Sequence, residues 1–226
     1  MTEPGTAGRV RAPSGLVWPK EEMRIDSATA SARDLYLTLI STLVPRPIAW
    51  VATRSAAGVP NLAPFSFFMG VVADPPTLAF SVGRKDDGTP KDTARNILIS
   101  KDFVVNVVPF ALASAMVQTS AELPYEVDEA AFAGLTLAPA GAVQADRVVG
   151  SPVQLECTLF QHVPISAGAT ITADLFIGRI QAIAVDDAVL DARGRVDPSK
   201  LDAVGRMGGA LYCRTQTLFE VARPRS

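Results

Sequence analysis

The run PIAWVATRSAAGVPNLAPFSFFMGVVADPPTLAFSVGR, residues 47–84, decides the fold. It breaks into three apolar segments, PIAWVATR (47–54), NLAPFSFFMGVV (61–72) and TLAFSVGR (77–84). Each is short and rich in β-branched or aromatic residues, which reads as a strand. Turn chemistry separates them: Ala57-Gly58 with Pro60, then Asp74-Pro75-Pro76, then Asp86-Asp87-Gly88.

The same texture continues outward. FVVNVVP (103–109), PVQLECTLFQHVPI (152–165), ATITADLFIGRIQAIAVD (169–186) and ALYCRTQTLFEVAR (210–223) read as further strands. Helical spacing marks about 31–41, with Asp34 near its start, and 111–120. Asp197-Pro198 opens one more short helix, with Asp as N-cap and Pro in the first helical position. Many strands at short spacing with few helices between them argue for a mainly β chain. The expected form is an antiparallel barrel with peripheral helices, not a doubly wound sheet. Residues 1–22, rich in Gly, Pro and charge, read as a flexible or surface-wrapping arm with Trp18-Pro19 as an anchor, leaving 23–226 as the domain. No internal repeat or low-complexity tract interrupts it.

Composition narrows the partners. A hydrophobic content of 48% fills a core, and a net charge of −2 supplies no basic face for nucleic acid or an anionic membrane. Any phosphate must therefore be held locally. No apolar run reaches the ~18 residues of a membrane span, and the first 22 residues lack the apolar stretch of a signal peptide. Cys157 and Cys213 lie in apolar runs and read as buried thiols of a reducing compartment. With His162 as the one histidine, soft ligands are too few for a Cys/His zinc site, so no metal is expected. The expectation is a soluble cytoplasmic protein.

One segment offers a local phosphate site. In GTPKDTARNI (88–97), Thr89 suits an N-cap and Pro90 the first helical position, placing Lys91, Asp92 and Thr93 in the first turn. A helix start presents unpaired N–H groups and a partial positive charge, to which Lys91 adds a cation and Thr93 a hydroxyl. Asp92 opposes this, because it can satisfy the dipole itself, and an ordinary capped surface helix stays open as a reading.

The chain also resembles the flavin reductase-like, FMN-binding split-barrel family. The resemblance rests on VPRPIAWVAT (44–53), NLAPFSFF (61–68), DPPTLAFSVG (74–83), KDTARNI (91–97), FVVNVV (103–108), ADLFIGRI (173–180) and RMGGALY (206–212). These follow one another in the family's order. The resemblance implies a six-stranded Greek-key barrel, a homodimer and one FMN per subunit near the dimer interface. It sets Arg46, Pro47, Ile48, Ala49 and Trp50 beside the flavin ring and Thr53 towards the ribityl chain or phosphate. Asn61, Ala63 and Ser66 would let the backbone approach the ring, and Phe67 is a possible ring contact. Ser81, Val82 and Gly83 would hold ribityl and phosphate oxygens, with Lys91, Asp92 and Thr93 as the phosphate corner. Arg206 would face the flavin's pyrimidine edge or an anionic nucleotide. Core packing remains open for Trp50, an ion pair for Arg206 and a barrel-edge place for His162. Catalytic residues are not assigned.

The function implied is an FMN-dependent oxidoreductase that accepts hydride from NAD(P)H at flavin N5. It would pass electrons to free flavin, to a partner monooxygenase or to another acceptor. FAD would place its FMN half in the same pocket. The chain lacks GxGxxG after a strand, GxxxxGK[ST] and GxSxG, and has no obvious acid–base pair, which suits chemistry carried by a cofactor. The alternative is a non-enzymatic FMN-binding electron carrier or flavin-binding module. The acidic segment ELPYEVDEAAF (122–132) stands ready to cover the flavin, with Tyr125 and Phe132 as lid residues or as plain loop anchors.

Overall fold

The computed structural model of the chain describes residues 23–222 and 224. The expected arm over 1–22, with its Trp18-Pro19 anchor, lies outside the described residues. The described residues up to Val44 form one compact unit with Met207–Leu211, and Pro45–Arg206 with the residues from Tyr212 form another.

In the first unit, α1 (Ala32–Thr42) lies where the spacing predicts a helix. Ser31 caps it: its hydroxyl accepts the Asp34 N–H at 3.1 Å and donates to the Asp34 carboxylate at 2.8 Å. The turn 207–211 closes with Met207 N–H donating to the Leu211 carbonyl. It passes so near α1 that a Cβ on Gly208 would sit 3.0 Å from the Ser41 hydroxyl.

The second unit is built on β1 (Ala49–Arg54), β2 (Pro60–Phe65), β3 (Phe68–Ala73), β4 (Pro76–Gly83), β5 (Asp102–Asn106), β8 (Val153–Ala167) and β9 (Thr170–Val185). They form one antiparallel sheet in the order β2-β1-β5-β8-β9-β4-β3. Its two ends, β2 and β3, are consecutive in the chain, separated by Ser66 and Phe67 alone. The sheet therefore closes on itself. The segment 61–72, expected as one strand, is interrupted where it passes from pairing with β1 to pairing with β4. Counted as one broken strand, it completes the expected six-stranded split barrel.

Two-residue alternation along β1 explains how the barrel is filled. Ala49 and Val51 point into one buried cluster with Phe80, Val82, Phe103, Val105, Ile97 and Phe176. Every barrel strand contributes to it or packs against it, so this cluster is the barrel interior. Phe80 is central, with ring centroids 5.4 Å from Phe103 and 5.7 Å from Phe176. Ile48, Trp50 and Ala52 face the other way, into a second cluster with Leu62, Val104, Met116 and Val148. That cluster is covered by α3 (Ala113–Gln118) and by the hairpin of β6 (Leu137–Pro139) and β7 (Asp146–Val148). β1 is thus buried on both faces.

Two expected elements are shorter than the pattern suggests. The segment 111–120 opens as a 3₁₀ turn, Phe110–Leu112, before α3. In 210–223 only β11 (Tyr212–Arg214) is a strand, paired with β10 (Val204–Arg206) and with no further ladder among the described residues. The short helix at Asp197 forms as expected: α5 (Pro198–Leu201) has Asp197 accepting the Ser199 N–H at 2.8 Å. Among the described residues no helix is long and apolar enough to cross a membrane, and no group of three His, Cys, Asp or Glu residues is placed to hold a metal.

Candidate functional site

α2 (Asp92–Ser100) starts two residues later than the sequence suggests, with Lys91 in the N-cap position. The cause is local competition. Asp87 takes both the Thr89 N–H and the Thr89 hydroxyl, at 2.8 and 2.6 Å, and Lys85 N–H donates to the Thr89 carbonyl. Thr89 is thereby held in a turn, and Pro90 bridges back to Arg84. Lys91 provides no side-chain cap, so the first N–H groups of α2 keep their capacity for an outside acceptor.

This helix start opens on a cavity of about 330 Å³. The volume falls within the roughly 300–1,000 Å³ range of small-molecule sites. Asn61 and Ala63 of β2 line it with Lys91, Asp92 and Thr93, so five of the expected residues converge there. Pro64, Phe65, Lys85, Glu129 and the segment 119–124 complete the wall. Lys85 Nζ lies 2.9 Å from Asp92 Oδ1, so Asp92 is committed to a lysine and leaves the helix N–H groups uncapped.

Behind the cavity lies a buried polar network. Asn61 Oδ1 accepts the Thr93 hydroxyl at 2.8 Å and the Thr53 hydroxyl at 3.1 Å. Asn61 Nδ2 donates to Glu129 Oε1 at 2.7 Å, and the Leu62 N–H donates to Glu129 Oε2 at 3.1 Å. Asn96 carries the chain onward, donating to Thr53 Oγ1 and accepting from the Tyr125 hydroxyl at 2.9 Å. Glu129 belongs to α4 (Glu129–Phe132) and is buried. Burial pushes its carboxyl above the ordinary 4.5, against the lowering effect of its N–H donors.

Glu129 is the residue the sequence reading passed over. Its signal was the Asp-Glu pair ahead of Ala-Ala-Phe inside 122–132: Asp128 caps α4, accepting the Ala130 and Ala131 N–H groups, and this turns Glu129 inward. The segment itself is firmly fastened. Tyr125 bonds Asn96 and lies under the Arg95 guanidinium, 4.0 Å from its ring centroid, and Glu126 accepts the Ser55 hydroxyl. Tyr125 is an anchor. Phe132 is exposed.

The remaining expected residues fall into three sets. Arg46, Ser66, Phe67 and Arg206 come together: Arg46 Nε donates to Ser66 Oγ, its guanidinium lies 5.8 Å from the Phe67 ring centroid, and its backbone bridges Arg206 in both directions. Arg206 also lies over Tyr212, bonding its hydroxyl. Ile48, Ala49, Trp50 and Val82 are core residues. Trp50 Nε1 donates to Thr119 Oγ1 at 2.9 Å, so the tryptophan braces the cavity wall from behind. Pro47 and Gly83 are exposed and Ser81 is half-buried, and these three do not line the cavity. His162 and Arg84 share Asp174, at 2.8 and 2.9 Å, with the imidazole stacked on Phe176. Both cysteines are unpaired, and burial raises the Cys157 thiol far above its usual value.

The fold is thus a closed split barrel, with a cationic, uncapped helix start opening on a cavity beside β2. The chain belongs to the flavin reductase-like family, whose Flavin reductase like domain matches residues 41–206. An uncharacterised protein of Halalkalibacterium halodurans is 40% identical over 203 residues, 89% of this chain and 97% of its own. The structure of nitrilotriacetate monooxygenase component B from Bacillus cereus superposes with a TM-score of 0.85 at 30% identity, covering 90% of this chain and all of the other. That of 2-nitrobenzoate 2-nitroreductase from Pseudomonas fluorescens gives 0.78 at 28% identity, covering 89% and 96%.

Proposed function

We propose that this protein is an FMN-dependent oxidoreductase that takes hydride from NADH or NADPH and hands the electrons to free flavin, a partner oxygenase or another acceptor. The observation that carries the proposal is the convergence of Lys91, Thr93 and the uncapped start of α2 on one cavity with Asn61 and Ala63. Likeness to a monooxygenase component B and to a nitroreductase supports a redox role.

The residues fit the group's three chemical parts. Lys91 and the first-turn N–H groups of α2 suit a phosphate, and Asn61, which lines the cavity with Thr53 bonded behind it, suits a ribityl hydroxyl. Ala63, Pro64 and Phe65 offer an apolar slot, with Arg46, Ser66 and Arg206 as a polar group, beside the Phe67 ring, on which the ring edge and an anionic nucleotide would rest. Bound flavin supplies a two-electron acceptor at N5, so the chain itself has only to bind, orient and shield. FAD fits the same reading through its FMN half. Two copies acting as a homodimer in the cytoplasm, where unpaired thiols stay reduced, complete it.

Absorbance of the purified protein with FMN, followed by anaerobic addition of NADH or NADPH, tests the proposal. Uptake of FMN and rapid loss of its visible absorbance are expected. A protein that takes up no FMN overturns the proposal. One that holds FMN tightly yet is reduced only sluggishly by either nucleotide is an electron carrier instead.

A further inference from the structure

The lining of the cavity is unusual for a place that should hold a phosphate dianion. Two cations, Lys85 and Lys91, stand against three carboxylates, Asp92, Glu122 and Glu129, and Lys85 is already paired with Asp92. Both oxygens of Glu129 accept N–H groups, an arrangement that suits the ionised carboxylate. Glu129 also dictates the direction of its neighbours. Because Asn61 Nδ2 must face Glu129, Asn61 Oδ1 faces Thr53 and Thr93, and the Thr93 hydroxyl proton points at Asn61. A hydroxyl so committed has only lone pairs left to offer an incoming phosphate.

We propose that Glu129 is a specificity-determining, positioning residue that weakens the hold on phosphate, both by its charge and by turning the Thr93 proton inward through Asn61, so that a phosphorylated flavin exchanges with solution instead of staying bound. This inference rests on the flavin reading above and deepens it: flavin is a turned-over ligand of this chain. Replacing Glu129 by Gln removes the charge and reverses the polarity of the chain. The Gln oxygen accepts the Leu62 N–H, its amide donates to Asn61 Oδ1, Asn61 turns its Nδ2 to Thr93, and the Thr93 proton is released towards the cavity.

The test is fluorescence titration of the full chain with FMN and with riboflavin, which differ by the phosphate alone. For Glu129→Gln the dissociation constant for FMN should fall about tenfold while that for riboflavin moves by less than about twofold. For Thr93→Val the wild-type ratio of the two constants should hold within about twofold, because the hydroxyl proton it lacks was committed to Asn61. The inference is overturned by an unchanged or lowered preference for FMN in Glu129→Gln, or by a tenfold loss of that preference in Thr93→Val. Should Glu129→Gln fail to fold, Thr93→Val decides alone. A wild-type chain that binds neither flavin overturns the flavin reading and this inference with it; binding of both with an unaltered ratio in Glu129→Gln overturns this inference alone.

Discussion

Lys91 and Glu129 face one cavity with opposite charges, and their burial sets how each can be tested. Among the described residues Lys91 makes no ion pair and leaves its helix uncapped. An ammonium in this position would contribute a charge-assisted hydrogen bond of roughly 1.5–3 kcal/mol to a phosphate. Lys91→Ala should therefore weaken FMN about tenfold or more and leave riboflavin nearly unchanged, measured by flavin fluorescence. Glu129 makes a pH prediction of its own. Its carboxyl is raised in the folded protein, chiefly by burial, so the folded state binds the proton more readily than the unfolded chain does. Its contribution to stability is fully present below the ordinary carboxylate value and is lost as pH rises through the elevated folded value. Urea denaturation at about pH 4 and about pH 7 should show wild type losing stability relative to Glu129→Gln across that interval. A constant difference between the two proteins would mean that burial does not raise this carboxyl.

At the scale of elements, packing inside the barrel leaves little tolerance. A Cβ on Gly178 in β9 would lie 2.4 Å from the Phe103 ring, which is itself fully buried among Phe80 and its neighbours. Gly178→Ala should destabilise the fold by about 1–3 kcal/mol, read as a lowered urea midpoint with unchanged m-value. The reason for this glycine could not be read from ADLFIGRI, since it depends on a phenylalanine some seventy-five residues away in β5. What was legible follows the same logic in reverse. The alternation on β1, the helical spacing of α1 with Asp34 near its start and the Asp-Pro start of α5 are local patterns, and each survives in the structure. The start of α2 was misplaced because Asp87, outside the helical pattern, captures Thr89. The strand 210–223 was overlong because apolar β-branched content marks a strand only where a partner ladder exists, and β10 supplies three residues. For the site, the phosphate corner was legible because its residues are contiguous. Glu129 was not, since it reaches Asn61 across 68 positions of chain.

The whole molecule leaves apolar surface that its own fold does not cover. Met69, Val71 and Val72 of β3 are about half exposed, as are Phe160 on β8 and Ile183 on β9, while Phe67 at the entry to β3 is 40% exposed. Met69, Val71 and Val72 fall together on one short strand, and clustered exposed apolar side chains mark a surface that a partner covers. β3 follows directly on Phe67, which stacks under Arg46 at the rim of the proposed flavin site. A second copy packed on β3 would thus cover apolar surface and wall the flavin at once, which is the arrangement expected of a homodimer with its cofactor near the interface. Light scattering should give twice the mass of the chain at micromolar concentration. The paired substitution Met69→Lys and Val71→Lys sets like charges across such an interface without touching the barrel core, and should yield a folded monomer. That monomer should retain the circular dichroism of the wild type and lose most of its FMN affinity. A wild-type monomer, or a monomeric variant that binds FMN as well as the parent, would separate the flavin site from any partner subunit.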